Sequence, residues 1–117
     1  MINMRIGVQG TKDFADYNVF MRAMGVALSD VKDHEFTVYS AGPVRVNAFT
    51  SEFCNRSEDN LKARGIKVKF FYVPSSFIED RINTFDYFAF LSTPNERPSK
   101  LTAAAEGANI EVGIFQY

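Results

Sequence analysis

Short apolar runs alternate with longer amphipathic stretches along this sequence, and the alternation limits the folds that the chain can adopt. The apolar runs are residues 5–9, 36–40, 67–73, 85–91 and 110–115. Each run has the length of a strand, and the stretches between them are long enough for helices. Strands that alternate with helices pair in parallel, with the helices packed on the sheet. The sequence therefore predicts a three-layer α/β fold with about five mostly parallel strands flanked by helices.

The stretches between the predicted strands have helical spacing. In the first of them, apolar residues recur at intervals of three and four, at Tyr17, Phe20, Met21, Met24 and Leu28. Asp13 or Asp16 is placed to cap this helix. A second helix is expected to end just before Gly65. Ser76 and Glu79 have the spacing of a capping box, which predicts a short third helix beginning after Ser76, and a fourth helix is expected after residue 98.

Composition and charge exclude several classes of protein. Of 117 residues, 46% are hydrophobic, with 12 Phe and 5 Tyr, which is enough for a core and argues against disorder. The net charge of −1 gives no general case for binding nucleic acid or a membrane surface, and no apolar run approaches the roughly 18 residues of a membrane span. Cys54, as a single cysteine, forms no internal disulfide. We expect one cytoplasmic domain spanning residues 1–117.

Residues 38–49 change from an apolar strand to helical spacing at Gly42-Pro43. Such a turn directs backbone N–H groups and the positive end of the helix dipole at one point, which suits an anion. Arg45 is electrostatically unfavourable at a helix start, and contact with a phosphate would explain that cost. The alternative stays open that the turn only connects a strand to a helix, because such connections need Gly or Pro anyway.

Three loops are expected to meet at the carboxyl edge of the sheet, where open α/β sheets bind ligands. They follow the first, second and fourth strands. Their glycines, hydroxyls, amide and four cations form the candidate ligand-binding set, which is Gly10, Thr11, Lys12, Gly42, Arg45, Asn47, Ser92, Thr93, Arg97, Ser99 and Lys100. No catalytic residue, metal site or cofactor is predicted, because the single His34 lies in a separate charged turn, far from Cys54.

The loops resemble those of the SLOG superfamily of Rossmann-like domains, in particular the YspA-like branch found in bacteria and phages. The family's first strand ends in a Gly-Ser-Arg-Asp-Phe type turn, and residues 10–14 read Gly-Thr-Lys-Asp-Phe. Residues 40–47, Ser-Ala-Gly-Pro-Val-Arg-Val-Asn, stand where the family has a Ser-Gly-Gly-Ala-x-Gly-Ala-Asp type loop. Residues 97–99, Arg-Pro-Ser, stand in place of the family's Ser-x-Gly-Thr turn. The order of these segments is similar over nearly the whole chain.

The resemblance implies a small nucleotide-binding domain that holds phosphate at the carboxyl ends of the strands. Ala41, Arg45 and Pro98 replace family glycines, and Thr102 stands where the related Lonely Guy phosphoribohydrolases have a catalytic Glu. The resemblance therefore favours a sensor or a sequestering protein over an enzyme. Two alternatives stay open. One is a ligand-free interaction domain that forms a homodimer or contacts a partner protein. The other is a nucleotide-cleaving hydrolase whose acid would be Asp13 or Glu96.

Overall fold

The computed structural model describes residues 3–28, 35–93 and 99–116. Its strands are β1 (Asn3–Gly10), β2 (Glu35–Ser40), β3 (Lys67–Tyr72), β4 (Tyr87–Ser92) and β5 (Glu111–Gln116). Its α-helices are α1 (Tyr17–Leu28), α2 (Val44–Ala63), α3 (Ser75–Asp80) and α4 (Lys100–Gly107). A single 3₁₀ turn, Ile82–Thr84, precedes β4. Among the described helices, none combines the length and the hydropathy that a membrane span requires.

All five strands form one parallel sheet in the order β3-β2-β1-β4-β5. Because the chain moves outward from β1 to β3 and then returns to place β4 on the other side of β1, the strand order reverses between β1 and β4. This order matches the first five strands of the Rossmann-type order, in which ligands bind beside the reversal point. The structure confirms the predicted α/β fold with parallel strands flanked by helices.

The helices cover both faces of the sheet and bury two hydrophobic clusters. One cluster joins α1 and α2 to the sheet and contains alternate residues of β4, Tyr87, Ala89 and Leu91. The other cluster lies under α3 and α4 and contains the intervening Phe88 and Phe90. Because both faces are covered, every residue of β4 is buried. A near-continuous apolar run is typical of such a central parallel strand.

The end of α2 and the start of α1 are both capped by residues that the sequence predicted for these positions. Gly65, which follows the C-cap residue Arg64 of α2, has a φ of 78°. Its N–H donates to Lys62 O (3.0 Å), while Ile66 N–H donates to Leu61 O (2.8 Å), which is the hydrogen-bond pattern of a Schellman motif. At the start of α1, Asp16 Oδ1 accepts a hydrogen bond from Val19 N–H at 3.1 Å. Asp16, rather than Asp13, therefore caps α1.

The predicted capping box of the third helix is wrong. Helix α3 begins at Ser75, two residues earlier than expected, with Pro74 at the N-cap and no side-chain hydrogen bond to the first turn. Ser76 therefore lies inside the helix, where its hydroxyl cannot act as the cap. Pro74 determines this start, because its fixed φ favours the extended backbone that precedes a helix.

Candidate anion site at the carboxyl edge of the sheet

The carboxyl ends of three strands are joined by backbone hydrogen bonds. Gly10 N–H donates to Gly42 O at 3.0 Å, which joins the end of β1 to the turn before α2. Thr11 N–H donates to Leu91 O at 2.9 Å, which joins the same loop to β4. The loops that follow β1 and β2 therefore meet beside the point where the strand order reverses.

Gly10 is required by close packing at this junction. A Cβ at position 10 would lie 2.5 Å from Val46 Cγ2 and 3.2 Å from Leu91 O. The missing side chain lets the first turn of α2 rest directly on the end of β1. Gly42 is required for a different reason: its φ is 87°, and nothing lies within 4 Å of the position of a Cβ.

The first turn of α2 carries no compensating negative group. Pro43 is the N-cap residue and supplies no side-chain hydrogen bond, and the turn contains no acidic residue. Asn47 N–H makes the first helical hydrogen bond, to Pro43 O at 3.0 Å. Within the described ranges, no group accepts from the N–H donors of Val44, Arg45 or Val46. A helix of 20 residues therefore presents free donors and the positive end of its dipole at this point.

Two cations flank this helix start. Lys12 and Arg45, together with Pro43, Val44 and Ala48, line an open cleft of about 480 Å³. Val44 is 82% exposed and forms an apolar part of the cleft. None of the five lining residues is acidic, so the lining of the cleft carries two cations and no carboxylate although the net charge of the chain is −1. The arrangement suits a ligand that combines an anionic group with an apolar or aromatic part.

Two of the sequence-predicted site residues form hydrogen bonds within the fold. Asn47 Oδ1 accepts from Ser40 Oγ at 2.6 Å, which ties the first turn of α2 to the end of β2. Ser99 is the N-cap of α4: its Oγ accepts from Thr102 N–H at 3.2 Å and donates to Gln9 Oε1 at 2.6 Å. The bond between Gln9 and Ser99 holds the start of α4 against β1. Gln9 was not predicted from the sequence, where its one distinguishing feature is a polar side chain near the end of an apolar strand.

Two further site residues, Ser92 and Thr93, lie at the end of β4. Ser92 is fully buried, and its Oγ has no hydrogen-bond partner among the described residues. Thr93 lines a second open cleft, of about 460 Å³, with residues 13–18. Asp13 and Asp16 make that cleft acidic, so it is unsuited to a phosphate. Lys100 is exposed at the start of α4, and Arg97, with Pro98, Glu96 and His34, lies outside the described residues.

Cys54 is the candidate nucleophile among the described residues, and its surroundings determine its reactivity. Cys54 is buried on α2. Burial, and secondarily the charge of Glu58, raises the pKa of its thiol to about 12, so the reactive thiolate is suppressed near neutral pH. No group of three or more His, Cys, Asp or Glu side chains within the described ranges is arranged to hold a metal ion.

A solved structure resembles this chain at low sequence identity. No protein-family model matches it, and no curated protein matches its sequence. Among solved structures, it is similar to shikimate dehydrogenase from Mycobacterium tuberculosis, with 14% sequence identity and a TM-score of 0.47. That alignment covers 97% of this chain and 46% of the enzyme, so the chain spans less than half of the enzyme's length.

Proposed function

We propose that this chain is a small binding domain for a nucleotide or a nucleotide-derived molecule, and that it holds the ligand's phosphate at the start of α2. The observation that carries this proposal is the uncapped first turn of α2 between Lys12 and Arg45. Backbone donors, a helix dipole and two cations together form the usual recognition set for a phosphate. The exposed Val44 beside them offers contact to a base or sugar.

We further propose that residues 1–117 act as one domain of the SLOG type with a sensing or sequestering role in the cytoplasm. Binding without turnover agrees with the chemistry of the cleft, since none of its lining residues is a carboxylate that could act as a general acid. Asp13, the candidate acid of the hydrolase alternative, lines the neighbouring cleft with Asp16. The hydrolase alternative is therefore the weaker one.

A thermal-shift screen tests the binding proposal. The panel contains nucleoside mono-, di- and triphosphates, cyclic dinucleotides, NAD and ADP-ribose. A ligand that binds only the folded chain raises Tm by mass action. We expect a shift with at least one member, and a loss of roughly tenfold or more in affinity when Lys12→Ala and Arg45→Ala are combined, because hydrogen bonds to charged groups contribute about 1.5–3 kcal/mol.

Lys62→Ala is the matched control. Lys62 lies in the last turn of the same helix, so its removal deletes one surface cation without touching the start of α2. We expect this variant to bind like the unaltered chain. A flat response across the whole panel, or equal binding by the unaltered chain and the Lys12→Ala/Arg45→Ala variant, would refute the site. Release of free base or ribose phosphate during incubation would favour the hydrolase.

A further inference from the structure

Strand β3 closes one end of the sheet and pairs only with β2, so its outer edge is open among the described residues. It is rich in exposed aromatic surface: Phe71 is 49% exposed and Tyr72 is 53% exposed. Edge strands are usually protected by charges, bulges or proline, because their free backbone groups pair with other chains. The opposite edge, β5, contains Glu111 and Gly113 and is less suited to such pairing.

The lysines of β3 do not protect its edge. Lys69 Nζ lies 3.2 Å from Glu35 Oε1, so this side chain turns back over β2. Lys67 and Lys69 also share the face of Phe71, because side chains alternate along a strand. The other face carries Val68, Phe70 and Tyr72, beside a groove of about 340 Å³ between β3 and α2.

The backbone hydrogen bonds determine which residues of β3 face outward. Val73 N–H donates to Ser40 O at 2.9 Å, which continues the parallel ladder with β2. In a parallel ladder, alternate residues direct both N–H and C=O to the same neighbour. Residues 69, 71 and 73 therefore face β2, whereas Val68, Phe70 and Tyr72 direct their backbone groups to the open edge.

Only one register lets two copies of β3 pair fully. A two-fold axis through a shared edge makes the two strands antiparallel. If Phe70 pairs with Val68 of the partner subunit, Lys69 lies directly opposite its own copy, which is destabilising. If Phe70 pairs with Tyr72 of the partner subunit, Val68 lies opposite a proline, which has no N–H. If Phe70 lies opposite its own copy, Val68 and Tyr72 also pair, and all three outward residues find partners.

We propose that this chain forms a two-fold dimer by antiparallel pairing of β3, with Phe70 opposite Phe70 of the partner subunit. The two sheets then join into one continuous sheet. Lys69 of each copy lies opposite Phe71 of the partner subunit and not opposite another lysine, so like charges are kept apart. Val68 lies opposite Tyr72 of the partner subunit on the face beside α2. A second copy is favoured over a foreign peptide because this self-pairing gives all three outward residues of β3 hydrogen-bonding partners. It also keeps the Lys69 side chains of the two copies from lying opposite each other.

Sedimentation equilibrium of the full chain tests the dimer. We expect Tyr72→Lys to raise the dimer dissociation constant by at least about tenfold, because half-exposed aromatic residues dominate interface energetics and the lysine lies opposite an apolar residue. Ile114→Lys is the control: Ile114 is 44% exposed on β5, so the same charge is added to the opposite edge. A chain that stays monomeric at roughly 1 mM, where even millimolar affinity gives dimers, would overturn the proposal.

Cysteine cross-linking tests the register. Lys69 and Phe71 are both exposed, so Lys69→Cys and Phe71→Cys should fold, and opposed Cα atoms of a non-hydrogen-bonded pair are about 4.5 Å apart. We expect a disulfide-linked dimer when the two variants are mixed under mild oxidation. Each variant alone should stay unlinked, and so should the unaltered chain with its buried Cys54. Efficient linking within either single variant, or none in the mixture, would overturn the proposed pairing.

Discussion

Single residues at the carboxyl edge decide how closely α2 approaches the sheet, and Gly10 is the clearest of them. We expect Gly10→Ala to lower the free energy of unfolding by about 1–3 kcal/mol, because its methyl group would overlap Val46 Cγ2 and press on Leu91 O. Urea unfolding followed by circular dichroism measures the change. The substitution also moves the start of α2, so nucleotide affinity should fall with stability.

Gly25→Ala is the matched control for this prediction. Gly25 lies inside α1 with nothing within 4 Å of the position of a Cβ, and it has no positive φ. The same methyl group should therefore stabilise the protein by about 0.5–1 kcal/mol through helix propensity. A Gly10→Ala variant as stable as the unaltered chain would mean that α2 does not rest on β1.

The candidate site was predictable from the sequence in its residue types and strand ends, but not in the directions of its side chains. The sequence placed Lys12 and Arg45 in two different loops at the same edge of the sheet, and both line one cleft in the structure. Asn47 and Ser99 stood in equally polar loops, yet both form internal hydrogen bonds. Those bonds depend on Ser40 and Gln9, which come close to Asn47 and Ser99 only after the strands pair. The spacing of residues along the sequence does not predict these contacts between distant segments.

At the scale of elements, Asp13 and Asp16 were equal candidates to cap α1 in the sequence, and the structure shows Asp16 as the cap. We expect Asp16→Ala to destabilise the protein by about 1 kcal/mol, because it removes the acceptor of Val19 N–H. Asp13→Ala, three residues earlier in an exposed turn, should change stability by less than about 0.5 kcal/mol. Thermal unfolding of both variants measures the difference. Equal losses would mean that Asp13 contributes to the start of α1.

The identities of the helices and strands were predictable because their periodicity is strong, whereas several boundaries were not. The run from residue 85 was predicted as strand, but Phe85 precedes β4 because its N–H donates to Ile82 O in the 3₁₀ turn. Likewise, Val73 bonds to Ser40 O but lies beyond the last residue of β3, next to Pro74. Periodicity also could not predict the order of the strands, because that order depends on which face of the sheet each crossover helix covers.

At the scale of the whole molecule, the proposed ligand cleft and the proposed dimer edge use different residues. Lys12, Arg45 and Val44 line the cleft at the start of α2, while Val68, Phe70 and Tyr72 form the outward side of β3. Sites that share no partners usually contribute independently to stability. Ligand binding and dimerisation should therefore raise Tm separately, each by its own mass action.

Two variants measured under two conditions distinguish these contributions. The nucleotide with the largest thermal shift should raise Tm equally in the unaltered chain and in Tyr72→Lys, but not in Lys12→Ala/Arg45→Ala. Raising the protein concentration should increase Tm in the unaltered chain and in Lys12→Ala/Arg45→Ala, but not in Tyr72→Lys, because only a dimer couples folding to concentration. A loss of the nucleotide shift in Tyr72→Lys would show instead that pairing of β3 completes the ligand site. A concentration dependence that survives in Tyr72→Lys would place the dimer interface away from the edge of β3.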